Sequence, residues 1–264
     1  PRAPGGGRVI AVAIWLMSIG LADLVAGLSG EPKPGPRTVG GIATGVAAPF
    51  VLSILCGASG GTVALLTSII GVSGAGWLLL RHDAPRMSAL RALAALGLVL
   101  VSFLVLSVVG TPPVTTFSPD PIVARAIHRL PFPLVAGASL AKVLFVAGVL
   151  TMLFATSNAI VWLVLTAMGT RFSNAEQRLR GGRVIGPLER VLIFGLGLAG
   201  QATAAALVIG AKGLLRYPEL NGLRNEAAGG GPSARTIDVV TEYLLIGSLT
   251  SWLLALFPLV LVPS

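Results

Sequence analysis

Charged side chains are scarce in this sequence: Asp, Glu, Lys and Arg make up 11% of its 264 residues. A soluble domain carries about 25% charged residues. Because hydrophobic residues make up 54% and the mean hydropathy is +0.88, most of the chain cannot form a water-facing surface. Long apolar runs separated by charged segments predict an all-α, polytopic integral membrane protein with short loops.

Cysteine and histidine are also rare. The single cysteine, Cys56, excludes an intramolecular disulfide framework and a cysteine-based metal cluster. Neither His82 nor His128 lies in a metal-ligand spacing such as H-E-x-x-H, and no serine lies in G-x-S-x-G. We therefore predict no catalytic residue, no metal and no cofactor, and an enzyme is the less favoured class.

Acidic residues are fewer than basic ones, which gives a formal net charge of +9. A nucleic-acid-binding surface would need a basic stripe interleaved with aromatic residues, whereas the lysines and arginines here are dispersed over short connecting segments. Nucleic acid is therefore not an expected partner. Anionic lipid headgroups are the expected one, together with a membrane-protein partner or a second copy of the chain.

Eight apolar runs are candidates for transmembrane helices, each of which needs about 20 residues. The first run is long for the apolar core of a signal peptide, so we interpret it as the first transmembrane helix, with a cleavable signal as the alternative. The segment 134–170 would be about 55 Å long as one helix, so we expect a tight hairpin at Thr156, Ser157 and Asn158, followed by a short, tilted or re-entrant span. The runs cover residues 9–28, 39–57, 61–80, 91–110, 134–154, 157–170, 188–211 and 239–261.

Lysine and arginine residues orient membrane proteins, because cytoplasmic loops carry an excess of them. With eight spans, nine of these residues fall on each side, so the rule gives no orientation. The basic segment 171–190 is the densest and is expected to be cytoplasmic. That expectation also places the N-terminus inside.

Three connecting segments are predicted to have local structure. Asp120 and Pro121 suit the start of a short amphipathic helix that lies along the membrane surface. Residues 173–176 fit a capping box, and the glycine-rich segment 221–235 is predicted to be a flexible loop. The apolar face of the short helix is predicted to contain Ile122, Val123, Ala126, Ile127 and Leu130.

Gly195, Gly197 and Gly200 spell G-x-G-x-x-G, which marks a dinucleotide site when it joins a strand to a helix. Here the motif lies in an uncharged apolar run, where a strand–turn–helix unit would leave backbone amides unpaired in lipid. We interpret these glycines as small surfaces that let a neighbouring helix approach closely. The G-x-x-x-G formed by Gly41 and Gly45 is interpreted in the same way.

Polar residues inside the apolar runs are candidate functional or structural sites, because each is costly in lipid unless it has a partner. Lys142 in the fifth run and Asp23 in the first could pair with each other as an ion or proton relay, or could reach the membrane interface instead. Asn158, Gln201 and Thr203 are expected to hydrogen-bond between helices.

Charged residues also lie at the ends of the last two runs. Glu189 and Arg190 open the seventh run, where a carboxylate suits a helix N-terminus. Lys212 and Arg216 lie four residues apart at its far end, and Glu242 lies at the start of the eighth. If the two runs form a hairpin, Lys212 or Arg216 would meet Glu242 as a structural clamp.

Three motifs occur between residues 181 and 256: I-G-x-L-E-R within GGRVIGPLER, A-K-x-x-x-R-[FY] within AKGLLRYPEL, and E-Y-x-L-I-G-[ST]-L-x-S within TEYLLIGSLTSWLLAL. In these motifs the chain resembles a family of uncharacterised bacterial integral membrane proteins. The resemblance implies a C-terminal two-helix module at 181–261 and no activity. Residues 1–155 resemble no family that we identify.

The sequence thus predicts a single membrane domain, 1–264, in a bacterial inner membrane. Many Gly/Ala-rich spans and scattered intramembrane polar groups favour a small-solute or ion transporter or channel, which requires a water-accessible cavity reaching Lys142. The alternative is a non-catalytic scaffold or complex subunit, with an exposed small-residue face around Gly41 and Gly45. The third is an intramembrane enzyme, whose polar side chains would converge on one pocket.

Overall fold

A computed structural model describes residues 6–27, 35–60, 63–81, 87–108, 116–117, 121–129, 131, 137–169, 182–214 and 234–263. These residues form ten α-helices and two short strands, which confirms the predicted all-α class. The elements are α1 (Gly6–Ala26), α2 (Pro36–Leu55), β1 (Ala58–Ser59), α3 (Val63–Arg81), α4 (Ala89–Val108), β2 (Thr116–Phe117), α5 (Ile122–His128), α6 (Leu140–Ala155), α7 (Ser157–Ala167), α8 (Gly182–Leu198), α9 (Ala202–Leu214) and α10 (Ala234–Val260).

Four of the described helices, α1 to α4, are long and apolar enough to cross a membrane. The pair α6 and α7 gives a fifth candidate if a bent pair counts as one span. The apolar character expected of a membrane-associated protein is therefore present. The described helices give four or five candidate spans by length and composition, where the sequence analysis expected eight.

Helix α1 lies at the centre of the bundle and contacts α2, α3, α4 and α6. Small residues make these contacts close. A β-carbon added to Gly148 of α6 would lie 2.9 Å from the carbonyl oxygen of Ala13, and one added to Gly41 of α2 would lie 2.8 Å from that of Ala22. The packing role predicted for Gly41 is confirmed.

Contacts between side chains fix the directions of the first four helices. Trp15 contacts Ser73 and, two turns later, Asp23 contacts Arg81, so α1 and α3 run parallel. Ser73 also hydrogen-bonds Ser102 of α4. Leu79, which follows Ser73 on α3, accepts a hydrogen bond from Arg91, which precedes Ser102 on α4. The helices α3 and α4 are therefore antiparallel. Helix α2 is antiparallel to α1 and α3, because the residues that lie side by side run in opposite order along the chain. These pairs are Gly41 with Ala26, Gly45 with Ala22, Gly45 with Gly74, and Val46 with Gly71.

Helices α6 and α7 form one bent unit. The Thr156 amide donates to the Met152 carbonyl at 2.9 Å, the Ile160 amide donates to the Thr156 carbonyl at 3.2 Å, and the two helix axes differ by 56°. The Ser157 hydroxyl donates to the Leu153 carbonyl, a bond that often bends helices. The predicted tight hairpin at Thr156–Asn158 is wrong, because the chain bends here without reversing.

The predicted seventh span, 188–211, is broken between α8 and α9. Gly200 lies in the left-handed region, with φ +74°. Its amide donates to the Gly197 carbonyl at 3.0 Å, and the Gln201 amide donates to the Leu196 carbonyl at 2.8 Å. This is the Schellman arrangement that ends many helices, and it favours glycine because other residues are strained at positive φ.

Beyond this turn the chain folds back. Lys212 of α9 forms an ion pair with Glu189 of α8, so the two helices are an antiparallel hairpin rather than one span. Of the glycines in the G-x-G-x-x-G motif, Gly197 packs against Leu259 of α10, as the packing interpretation predicted. Gly200 turns the chain, and no neighbouring helix among the described residues lies within 4 Å of a β-carbon added to Gly195, so the packing interpretation is wrong for these two.

Helix α10 runs parallel to α8, since Arg190 contacts Ser251 and Gly197 contacts Leu259. It begins at Ala234, so the last two residues of the segment predicted to be flexible, 221–235, are helical. The rest of that segment, the capping box at 173–176 and Arg216 lie outside the described residues.

Two short elements lie between the longer helices. The predicted amphipathic helix is present as α5, with Ala124 and Ile127 buried, although Ile122 and Ala126 of the predicted apolar face are exposed. Strands β1 and β2 pair antiparallel, with Ala58 opposite Phe117. This strand pair, which the sequence analysis did not anticipate, joins the segment after α2 to the segment after α4.

The packing of α1 against α6 can be tested with two glycines that differ in their surroundings. Gly148→Ala should lower the free energy of unfolding by about 1–3 kcal/mol, because the new methyl group meets the α1 backbone. Gly97→Ala in α4, where no atom lies within 4 Å of the added carbon, should raise it by up to about 1 kcal/mol through helix propensity. Thermal unfolding of the purified variants checks this, and equal shifts would contradict the close contact.

Candidate functional site

A buried ion pair joins α1 to α3. The Arg81 Nη1 atom lies 3.0 Å from Asp23 Oδ1 and 3.2 Å from Oδ2, and the Trp77 indole donates to Oδ2 at 2.9 Å. The guanidinium also lies 4.4 Å from the centroid of the Trp77 ring. Both charged side chains are only 1% exposed. The pair therefore neutralises two charges inside the bundle and fixes the register of α1 on α3.

The predicted pairing of Asp23 with Lys142 is wrong. Helices α1 and α6 run parallel, as the neighbouring pairs Gly148–Ala13 and Gly20–Thr151 show. Lys142 is the third residue of α6, at the end where α1 begins, whereas Asp23 is near the other end of α1. The i, i+4 spacing of Trp77 and Arg81 is the feature of the sequence that indicates a shared partner for these two side chains. The predicted third run, 61–80, ends before Arg81, so Arg81 is not among the predicted intramembrane residues.

A second buried polar cluster surrounds Arg190 of α8. Its Nε donates to the Ser251 hydroxyl of α10 at 2.7 Å. Its Nη1 donates to the Ser157 hydroxyl at 2.6 Å and to the Asn158 Oδ1 atom at 2.9 Å, both at the start of α7. Arg190 is 4% exposed. One guanidinium thus holds three helices together at the bend between α6 and α7, and Asn158 fulfils its predicted interhelical role.

The charged residues beside this cluster pair differently from the predicted clamp. Lys212 contacts Glu189, with the two side chains 21% and 12% exposed, and this ion pair links α8 to α9. Glu242 is exposed on α10. Lys212 therefore pairs with Glu189 and not with Glu242 as predicted, and Arg216, the other predicted partner of Glu242, lies outside the described residues.

Residues from the three C-terminal motifs meet in this region. Glu189 and Arg190 come from the first, Lys212 from the second and Ser251 from the third. Gly186, also in the first motif, lies beside the cluster: an added β-carbon would lie 3.4 Å from the Asn158 Oδ1 atom, an ordinary contact distance.

The Arg190 cluster carries an excess positive charge. Its three hydrogen-bond partners are neutral, and among the described residues no carboxylate forms an ion pair with Arg190. Glu189 is engaged by Lys212, so these three ionisable residues sum to one positive charge. The N-terminus of α7 adds the positive end of a helix dipole at Ser157.

An apolar cavity of about 490 Å³ lies beside the α6–α7 bend, between α1, α4, α6, α7 and α10. Its wall includes Trp15, Phe103 and Phe145, and among the described residues Thr156 and Thr250 supply its only hydroxyl groups. The Thr156 hydroxyl is buried and has no hydrogen-bond partner among the described residues. These threonines directly precede Ser157 and Ser251, so the cavity and the Arg190 cluster share two stretches of helix.

The remaining candidate residues are not gathered into either cluster. Gln201 and Thr203 are exposed at the turn and at the start of α9, where only the backbone amide of Gln201 caps α8. Gly41 and Gly45 are buried between α1, α2 and α3, so they do not form the exposed small-residue face expected of a scaffold. No family model, curated protein or solved structure matches this chain.

A double-mutant cycle tests the Asp23–Arg81 pair. Arg81→Met should lower the free energy of unfolding by about 3–5 kcal/mol, because it leaves the buried carboxylate without a counter-charge. Asp23→Leu should have a similar effect. The double variant should lose clearly less than the sum of the two losses in denaturant titrations, and additive losses would contradict a direct interaction.

The Arg190 cluster should discriminate between arginine and lysine. Arg190→Lys should lower the free energy of unfolding by about 3 kcal/mol, because an ammonium group cannot replace bonds from both Nε and Nη1. Lys212→Arg, which keeps the partly exposed ion pair with Glu189, should change it by less than about 1 kcal/mol. Thermal unfolding of both variants provides the comparison, and an equally small loss in Arg190→Lys would be inconsistent with the multiple bonds.

Proposed function

We propose that this protein is a multi-pass integral membrane protein of a bacterial inner membrane that binds a single hydrocarbon chain of a lipid in its apolar cavity. The supporting observation is the cavity of about 490 Å³, which lies within the range of about 300–1,000 Å³ typical of ligand sites. Membrane insertion is supported by the four or five long apolar helices.

The wall of the cavity favours a hydrocarbon over a hydrophilic solute. The described residues of the wall are mostly aliphatic and aromatic, and they include no charged residue and only two hydroxyl groups. A hydrated ion or sugar would lose its hydrogen bonds to water there and gain few in return. A hydrocarbon chain loses none, and it fills space that would otherwise leave the wall without contacts.

The position of the opening also suits a lipid. Leu100, Leu253 and Phe257 belong to the wall and are each more than half exposed. In a membrane these side chains would face the hydrocarbon region, so a lipid chain could enter sideways without crossing water.

Transport of a small solute is a second candidate, and the bend at Thr156 favours it. Broken helices in transporters place helix ends and polar groups at the substrate site. Here the start of α7 meets Arg190, a buried cation whose described partners are neutral. A small anion is the substrate that this charge would attract. The third candidate, an intramembrane enzyme, lacks a catalytic group at the cavity within the described residues.

Two valines on opposite faces of α4 test lipid binding. Val99 lines the cavity, and Val99→Trp should weaken binding of a fluorescent long-chain fatty acid at least 10-fold by filling the space. Val101 is 57% exposed and does not line the cavity, so Val101→Trp should bind the probe as the parent protein does. The Kd is measured by fluorescence titration of the purified protein. If the probe fails to bind the parent protein, or binds both variants equally well, the cavity is not the site.

A cysteine in place of Ser251 tests the transport candidate, with Cys56 replaced by Ala. Ser251 is 3% exposed, so a closed Arg190 cluster predicts no reaction of Ser251→Cys with a small hydrophilic thiol reagent in membranes. A transport route through the cluster predicts labelling that a permeating anion slows. Gln201→Cys, exposed at the hairpin turn, reports that the reagent and the fold are intact.

A further inference from the structure

The directions of the helices sort their ends onto two faces of the bundle. Helices α1, α3 and α6 begin on the first face, where α2, α4 and α10 end and where the turn at Gly200 lies. We call this face A. On the opposite face, face B, α1, α3, α7 and α9 end, and α2, α4, α8 and α10 begin.

Positive charge is distributed very unevenly between these faces. The helix ends and joining segments of face A carry five of the 19 lysines and arginines, namely Arg2, Arg8, Arg125, Arg129 and Lys142. Those of face B carry the other fourteen: Lys33, Arg37, Arg81, Arg86, Arg91, Arg171, Arg178, Arg180, Arg183, Arg190, Lys212, Arg216, Arg224 and Arg235. Without the buried Arg81 and Arg190, the described helix ends of face B and the sequence segments that join them contain twelve.

Two features of the fold replace the nine-to-nine balance expected from eight spans. Because α6 and α7 bend by 56° and do not reverse, the segment 171–181 follows a helix end on face B. Because α8 and α9 form a hairpin, Lys212 returns to the face from which α8 started. The two most basic stretches of the C-terminal half, 171–183 and 212–235, therefore each join a helix end on face B to a helix start on face B.

We propose that face B is cytoplasmic and that face A, where α1 begins, lies outside the cytoplasm. This orientation rests on the proposed membrane insertion and reverses the N-terminus-inside orientation expected from the sequence. The excess of lysine and arginine on short segments near helix ends is the feature that retains loops in the cytoplasm. The same charges then meet the anionic headgroups of the cytoplasmic leaflet.

Four single-cysteine variants of the full chain, each in a Cys56→Ala background, test the orientation in intact bacterial cells. Ser59→Cys and His128→Cys replace exposed residues on face A. Ser88→Cys and Met168→Cys replace exposed residues on face B. A membrane-impermeant maleimide should label the two face A variants directly. The two face B variants should be labelled only after the membrane is permeabilised.

The outcomes separate the orientation from the membrane proposal. Recovery of the protein in the soluble fraction, or its release from membranes by alkaline carbonate, would overturn membrane insertion. When the protein stays in the washed membranes, labelling of face B first, or of both faces equally, would overturn the orientation alone. Gly97→Cys, at a helical site open enough for a side chain, reports a lipid-facing or packed position and should stay unlabelled in both conditions.

Discussion

Helix α1 approaches α2 at Gly41 and α6 at Gly148, at distances that leave no room for a β-carbon. Inside a membrane the hydrophobic effect does not hold helices together, so close van der Waals contact between backbones carries more of the stability. Alanine and glycine residues of α1, α2 and α6 provide that contact. Every other helix that packs on α1 is then placed relative to it.

Buried polar side chains determine which residues face each other within this frame. The carboxylate of Asp23 and the guanidinium of Arg81 lie at matching heights because α1 and α3 are parallel, and Trp77 supplies one further hydrogen bond. Arg190 does the same for α7, α8 and α10. A shift of α1 along α3, or of α8 along α7 and α10, by one turn, about 5.4 Å, would leave a buried charge without partners. These contacts therefore oppose sliding that apolar surfaces alone would allow.

Composition and run length sufficed to predict the all-α class, the apolar helices α1 to α4 and the packing role of Gly41. They did not predict the partners of Asp23 or Lys212, because a partner depends on helix direction and on the height of each residue in the bundle. Arg190 was recognised as a polar site, but its three neutral partners come from helices distant in sequence. The cavity was not predictable, since its wall combines five helices whose sequences look like ordinary apolar spans.

The two largest errors of the sequence analysis have a common physical origin. A count of apolar residues measures how far a chain could extend, and it contains no information on bends. At Thr156 the chain changes direction by 56° between two helices, so polar residues that resemble a hairpin do not reverse the chain. At Gly200 one residue with positive φ reverses a run that looks continuous. Each error moves every later segment to the other side of the bundle, and two errors cancel. The end of α10 therefore lies on the side expected from eight spans, whereas the basic segment 171–181 joins two described helix ends on the side opposite to the expected one.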